Sequence, residues 1–263
     1  REKVGEPYFY GWYDLGGFIP TPIMAIYQSG YHPQFFLATM HDLITYHAII
    51  TFVPRVKMKI GNTIYDPIEY NKIYGHIIDN VKPDIELNEV EVKALLAYLN
   101  STFNWAWLEQ SGRRTGGGIL ALEPNVVERM PILDVKKVDR KYVEELAQLF
   151  NKLESAAQLI ISSGASLSKE DEEEEKEEGE KLRMFKELKP IIREIDSKVA
   201  EILGIHVDVD ELWRYAWEMM ERRVKGAGRG VRPGVEVEIK ENRENKDSSS
   251  HIPLTKWFKP GGG

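Results

Sequence analysis

Two periods of hydrophobic patterning divide the chain. Residues 1–60 hold short apolar runs rich in Tyr, Phe and β-branched residues, punctuated by Pro7, Pro20, Pro22, Pro33 and Pro54. Runs of this length and composition predict strands, here over 23–27, 35–38 and 48–53. Leu15-Gly16-Gly17 and Ser29-Gly30 read as turns. Val56–Ile60, then Gly61-Asn62, then Thr63–Tyr65 predicts a β-hairpin.

The period then becomes helical. Asn88 is a candidate N-cap, and Glu91 three residues on completes a capping box. Val92, Leu95, Leu96, Leu99, Phe103 and Trp107 recur at helical spacing, which predicts one helix reaching Ser111-Gly112. A second amphipathic helix is predicted over 142–161 and a third over 182–203, interrupted at Pro190, with Gly204 as its terminating glycine. A fourth is predicted over 211–224, capped by Asp210. Residues 164–180 are Ser-rich and then acidic, a composition that buries no apolar surface, and read as a mobile loop. The pattern therefore predicts an α+β protein: a β-rich lobe over 1–135, an antiparallel helical region over 136–225 and a flexible tail over 226–263.

One stretch belongs to neither pattern. Ser111-Gly112-Arg113-Arg114-Thr115 reads as a basic loop running into Gly116-Gly117-Gly118, followed by a short apolar piece, Ile119–Leu122, and by Met130-Pro131-Ile132. Three consecutive glycines destabilise a helix or strand interior but permit a sharp turn and close approach to a ligand. Bare backbone flanked by guanidinium groups suits an anionic polymer such as nucleic acid. The candidate DNA contacts are Arg113, Arg114, Thr115, Gly116, Gly117 and Gly118, then Lys136 and Lys137, with Arg140 and Lys141 close behind.

These residues carry a resemblance. Leu95-Leu96, Leu99-Asn100-Ser101, Arg114-Thr115-Gly116-Gly117-Gly118 and Met130-Pro131-Ile132 resemble, in order and spacing, the block in the target recognition domain of adenine-N6 DNA methyltransferases. The type II gamma and fused type IIG restriction-modification enzymes are the nearest in kind. The resemblance implies a sequence-specific double-stranded DNA recognition module, with the later helices as spacers or docking arms. It also implies S-adenosylmethionine as cofactor of a catalytic domain, and the chain, opening on Arg1, reads as a fragment excised from such an enzyme. The alternative is a stand-alone specificity subunit of a multi-subunit restriction system.

The methylation machinery itself is not legible. Such enzymes need a glycine-rich loop between strand and helix for S-adenosylmethionine and an Asn/Asp-Pro-Pro-aromatic tetrad for the flipped adenine. Here Asp66-Pro67-Ile68 and the reversed Pro124-Asn125 are the nearest approximations, and the Gly116–Gly118 run reads as following no strand. No catalytic residue is assigned. His41 and His47, with Asp42 between, match no strong metal-ligand spacing. Glu238-x-Lys240 lacks the upstream acidic partner of a nuclease site. The aromatic cluster of Tyr10, Trp12 and Tyr13 either stacks on bases or lines a core, and core is the favoured reading.

Composition changes the picture in two places. The 263 residues include no cysteine, which removes disulfides and thiolate chemistry and fits a cytoplasmic protein or a thermophile. The net charge of −7 looks wrong for a DNA binder, yet Lys169–Lys181 alone carries nine acidic and three basic residues, leaving the remainder near −1.

The polar tail ends in an apolar cluster, His251-Ile252-Pro253-Leu254-Thr255-Lys256-Trp257-Phe258. It resembles the PIP box, the motif that binds the replication sliding clamp (PCNA). Leu254, Trp257 and Phe258 take the aliphatic and aromatic places, and His251 stands where the family has Gln. One turn at this spacing gathers the three apolar side chains into a plug. The resemblance implies a clamp partner and points to an archaeal source.

Overall fold

A computed structural model describes residues 21–26, 28–29, 32–38, 49–75, 78–164 and 173–227. Its centre is a pair of helices, α2 (Glu89–Leu99) and α3 (Thr102–Ser111), on which the other elements are laid.

The capping box forms as predicted. Asn88 accepts from the Glu91 amide at 3.2 Å, and Glu91 accepts from the Asn88 amide at 2.8 Å. The continuous helix does not form. Asn100 ends α2 and Ser101 caps α3, with the Asn104 amide donating to Ser101 Oγ. Short polar side chains that bond to nearby backbone favour such a break over helix continuation. The apolar residues consequently do not make one stripe. Val92, Ala94, Leu95, Leu96, Ala97 and Leu99 are all buried, because α2 is covered by neighbours all round.

Three small sheets pack around this pair. In the first, β1 (Ile23–Ile26) lies between β3 (Phe35–Leu37) and β4 (Ile49–Phe52), antiparallel to both. In the second, β5 (Val56–Ile60) and β6 (Thr63–Tyr65) form the predicted hairpin, in which Gly61 takes φ 55°. A parallel strand, β7 (Lys82–Asn88), joins β5 on its other side, and α1 (Pro67–Tyr74) supplies the crossover. Neither α1 nor β7 is predicted by the hydrophobic pattern. Asp66-Pro67 is nevertheless a helix start: the Asp66 carboxylate accepts from the Ile68 amide at 2.8 Å, and proline fits the first helical position.

The third sheet corrects the reading of the basic loop. Arg113–Thr115 is a strand, β8, antiparallel to β9 (Ile119–Ala121), and Gly116–Gly118 is a tight turn between them. The glycines thus do follow a strand. A further strand extends this sheet: β2 (Gln28–Ser29) pairs with β9 in the register Gln28↔Ala121 and Ser29↔Leu120. Ser29 is therefore part of a strand rather than a turn. A short helix, α4 (Pro124–Val127), follows β9.

Three long helices complete the α+β fold: α5 (Arg140–Gly164), α6 (Glu173–Leu203) and α7 (Val209–Ala227). The first two run antiparallel, since Tyr142 bonds Glu201, Glu145 pairs with Lys198, and Lys152 with Glu194. The acidic segment is only partly a loop. Residues 173–180 are the first turns of α6, and 165–172 lie outside the described residues. Pro190 does not interrupt α6 either. It lies exposed within the helix, which continues through it. Gly204 ends the helix at φ 62°, as predicted. At the start of α7 the cap is Asp208, which accepts from the amides of Asp210 and Glu211, while Asp210 itself pairs with Arg193. No helix among the described residues is long and apolar enough to cross a membrane.

Candidate nucleic-acid interface

The glycine turn is reached through α3, and buried polar side chains fix that helix at both ends. At its start, the Asn100 amide bonds both backbone groups of Phe35 on β3, accepting from N–H at 3.1 Å and donating to O at 2.8 Å. It also donates to Leu96 O at 2.9 Å. Asp196 of α6, fully buried, accepts from the Thr102 amide at 2.7 Å and from its hydroxyl. Burial pushes the Asp196 carboxyl up to about 7, and the Thr102 hydrogen bonds and the Arg193 charge only partly oppose this. Asn104 donates to Leu99 O at 2.7 Å. The Leu-Asn-Ser segment and its neighbours are thus a joint between two helices, a strand and α6.

At its other end, α3 hands over to the hairpin at Gly112. A Cβ on Gly112 would lie 2.6 Å from Leu120 Cδ1 and 2.7 Å from Leu108 O, so only glycine lets β8 start against β9. In the turn, Gly117 and Gly118 take φ 76° and 71°, conformations that side chains resist. Gly116 has neither reason. Its φ is ordinary, and an added Cβ would meet nothing within 4 Å. The outer side of the turn is open, whereas Gly118 is buried and its carbonyl accepts from Arg223 Nη1 of α7.

Arg223 and Glu109 form the buried support beneath the turn. Arg223 donates from Nε to Glu109 Oε2 at 2.9 Å and from Nη2 to Oε1 at 2.7 Å, and both side chains are fully buried. Trp105 Nε1 donates to the same Glu109 Oε1 at 3.1 Å, and its ring stands edge-on to Trp213 of α7 at 5.5 Å. The hydrophobic pattern offered a signal for these groups. Arg223 falls on the stripe of Leu212, Ala216 and Met220, Glu109 lies one turn beyond Trp105, and Asp196 interrupts Ile192, Ile195 and Val199. A charge at a core position of a helix is the mark of a buried polar link.

The structure does not gather the predicted basic residues into one patch. Arg113 and Arg114 are exposed on successive positions of β8 and so point to opposite faces of the strand. Arg113 pairs with Glu123 at 2.6 Å. No ion pair involves Arg114 among the described residues. Thr115 donates to Ile119 O at 3.2 Å across the hairpin mouth. Lys136 is elsewhere: it pairs at 2.7 Å with Glu91, in the first turn of α2, and completes the capping box by neutralising its carboxylate. Lys137 pairs with Asp134 and Arg140 with Glu144. Lys141 lies 3.9 Å from Glu145. Only the hairpin group adjoins the glycine turn.

The clamp-motif residues His251, Leu254, Trp257 and Phe258 lie outside the described residues, as do Glu238, Lys240, Tyr10, Trp12, Tyr13, His41 and His47.

The glycine turn leads from strand to strand rather than from strand to helix, and Asp66 caps α1.

Residues 71–163 match the family model of the C-terminal domain of the type II methyltransferase M.Eco57I. The match begins within α1 and ends near the close of α5, so it includes the α2–α3 joint, the hairpin and Lys136. No curated protein and no solved structure matches the chain.

Proposed function

We propose that this chain is the DNA-recognising part of a restriction-modification-like adenine-N6 DNA methyltransferase, and that the β8–β9 hairpin is its reading element. The observation that supports this most is the glycine turn. Gly117 and Gly118 are required by backbone conformation, whereas Gly116 leaves bare backbone facing outward for no reason internal to the fold. Beside it stands Arg114, exposed and outside any ion pair among the described residues, as a guanidinium that reads phosphate or guanine must be. The match to a type II methyltransferase C-terminal domain over the same segment supports DNA as the partner.

In this reading S-adenosylmethionine belongs with a catalytic domain, and this module presents the target to it. Selection of duplexes from a random-sequence pool by the chain tests the proposal. Enrichment of one short sequence is expected, and recovery of an unenriched pool contradicts sequence-specific reading.

The tail reading is part of the same proposal. Leu254, Trp257 and Phe258 supply the aliphatic and aromatic side chains that the sliding clamp would bind, holding the protein on DNA. Calorimetric titration of the clamp with the wild type and with the Trp257→Ala, Phe258→Ala double variant checks it. Binding that survives both substitutions contradicts it.

A further inference from the structure

We infer that Arg223 is a positioning residue for DNA recognition: it sets the pose of the β8–β9 hairpin from inside the protein. This rests on the reading of the hairpin as the DNA-contacting element. A fully buried Arg–Glu pair contributes little net stability, because both charges are removed from water and an apolar pair of similar volume often does as well. What such a pair supplies is geometry. Glu109 takes two of the guanidinium's bonds side by side, which fixes its plane and leaves Nη1 aimed at Gly118 O. Glu109 is itself fixed by Trp105 Nε1, and Trp105 is wedged against Trp213. A second α3–α7 link, Gln110 Nε2 to Tyr215 Oη at 2.7 Å, keeps the two helices in register outside the pair.

The chain of contacts therefore runs from the Trp105–Trp213 core through Glu109 and Arg223 to the inner end of the turn. The outer end carries Gly116, and Arg114 lies two residues before it. Without the tie, the turn end would depend on three pairs of residues between β8 and β9, because β2 reaches only Leu120 and Ala121 of β9.

Two variants test the inference in the full chain. Glu109→Met with Arg223→Met removes both buried charges together; Arg223→Lys keeps a charge but cannot make the fork. In each, amide exchange over 113–121 should accelerate by about tenfold or more while α2 and α5 keep their protection. Affinity for a labelled random-sequence duplex should fall by about tenfold. Arg114→Ala serves as the control. Unchanged hairpin exchange in the folded variants overturns the inference. So does a loosened hairpin that binds duplex as wild type does when Arg114→Ala weakens binding. If Arg114→Ala itself leaves binding unaltered, the DNA reading fails, and hairpin exchange alone decides whether Arg223 sets the pose. Should the double variant fail to fold, Arg223→Lys is judged by the same readouts.

Discussion

Asn100 stands in for a neighbouring strand beside Phe35, accepting from its N–H and donating to its carbonyl oxygen through one side-chain amide. A buried amide doing this at the end of α2 ties the first sheet to the helix that leads to the glycine turn. Asn100→Leu leaves the Phe35 backbone groups without partners and should cost about 2–4 kcal/mol. Asn100→Asp should cost at least as much, because it removes the donor and buries a charge. Urea unfolding of both variants measures the loss, and a change within about 0.5 kcal/mol would contradict the bonding described.

The glycines make a graded series. Gly112→Ala meets Leu120 and the Leu108 carbonyl, and the backbone contact cannot give; a loss of about 1–3 kcal/mol is expected. Gly117→Ala should lose about 1–2 kcal/mol to its left-handed φ. Gly116→Ala should be neutral or slightly stabilising, by up to about 1 kcal/mol, yet should weaken duplex binding. Thermal melting and duplex anisotropy on the same three proteins separate folding glycines from the contact glycine.

Asp196 gives the fold a pH dependence. Its folded-state value, about 7, is above the ordinary carboxylate value of 3.8, so the folded protein holds this proton where the unfolded chain has released it. Stability from this group is full below the ordinary carboxylate range and declines as pH rises through about 7. The Thr102 donors, and to a lesser degree the Arg193 charge, limit the decline. Asp196→Asn should flatten the stability profile between those values while keeping an acceptor for the Thr102 amide. An unchanged slope in denaturant midpoints across that window would contradict the assignment.

Local rules made much of this fold legible, and the misses have physical causes. The Asn88–Glu91 box and the Gly61-Asn62 hairpin follow from bonds within a few residues, and both formed. The break at Asn100-Ser101 was hidden because Phe103 and Trp107 continue the helical spacing, while the deciding bonds go to Phe35 and Asp196, far away in sequence. Partners likewise decided the basic residues. Lys136 is equivalent to Arg114 in composition, but Glu91 claims it. Nothing around Arg223 in sequence announced Gly118 as its partner; only its place on an apolar stripe set it apart.

Arg114 on β8 is the hairpin's proposed contact with DNA. Affinity for duplex measured across a salt titration, in the wild type, Arg114→Ala and Lys136→Ala, tests it most directly. If Arg114 contacts a phosphate, its removal should lower affinity and reduce the slope of log K against log salt by about 0.9. Lys136→Ala should leave that slope alone, because its charge is spent on Glu91. Equal affinity and slope for Arg114→Ala and wild type would contradict the account.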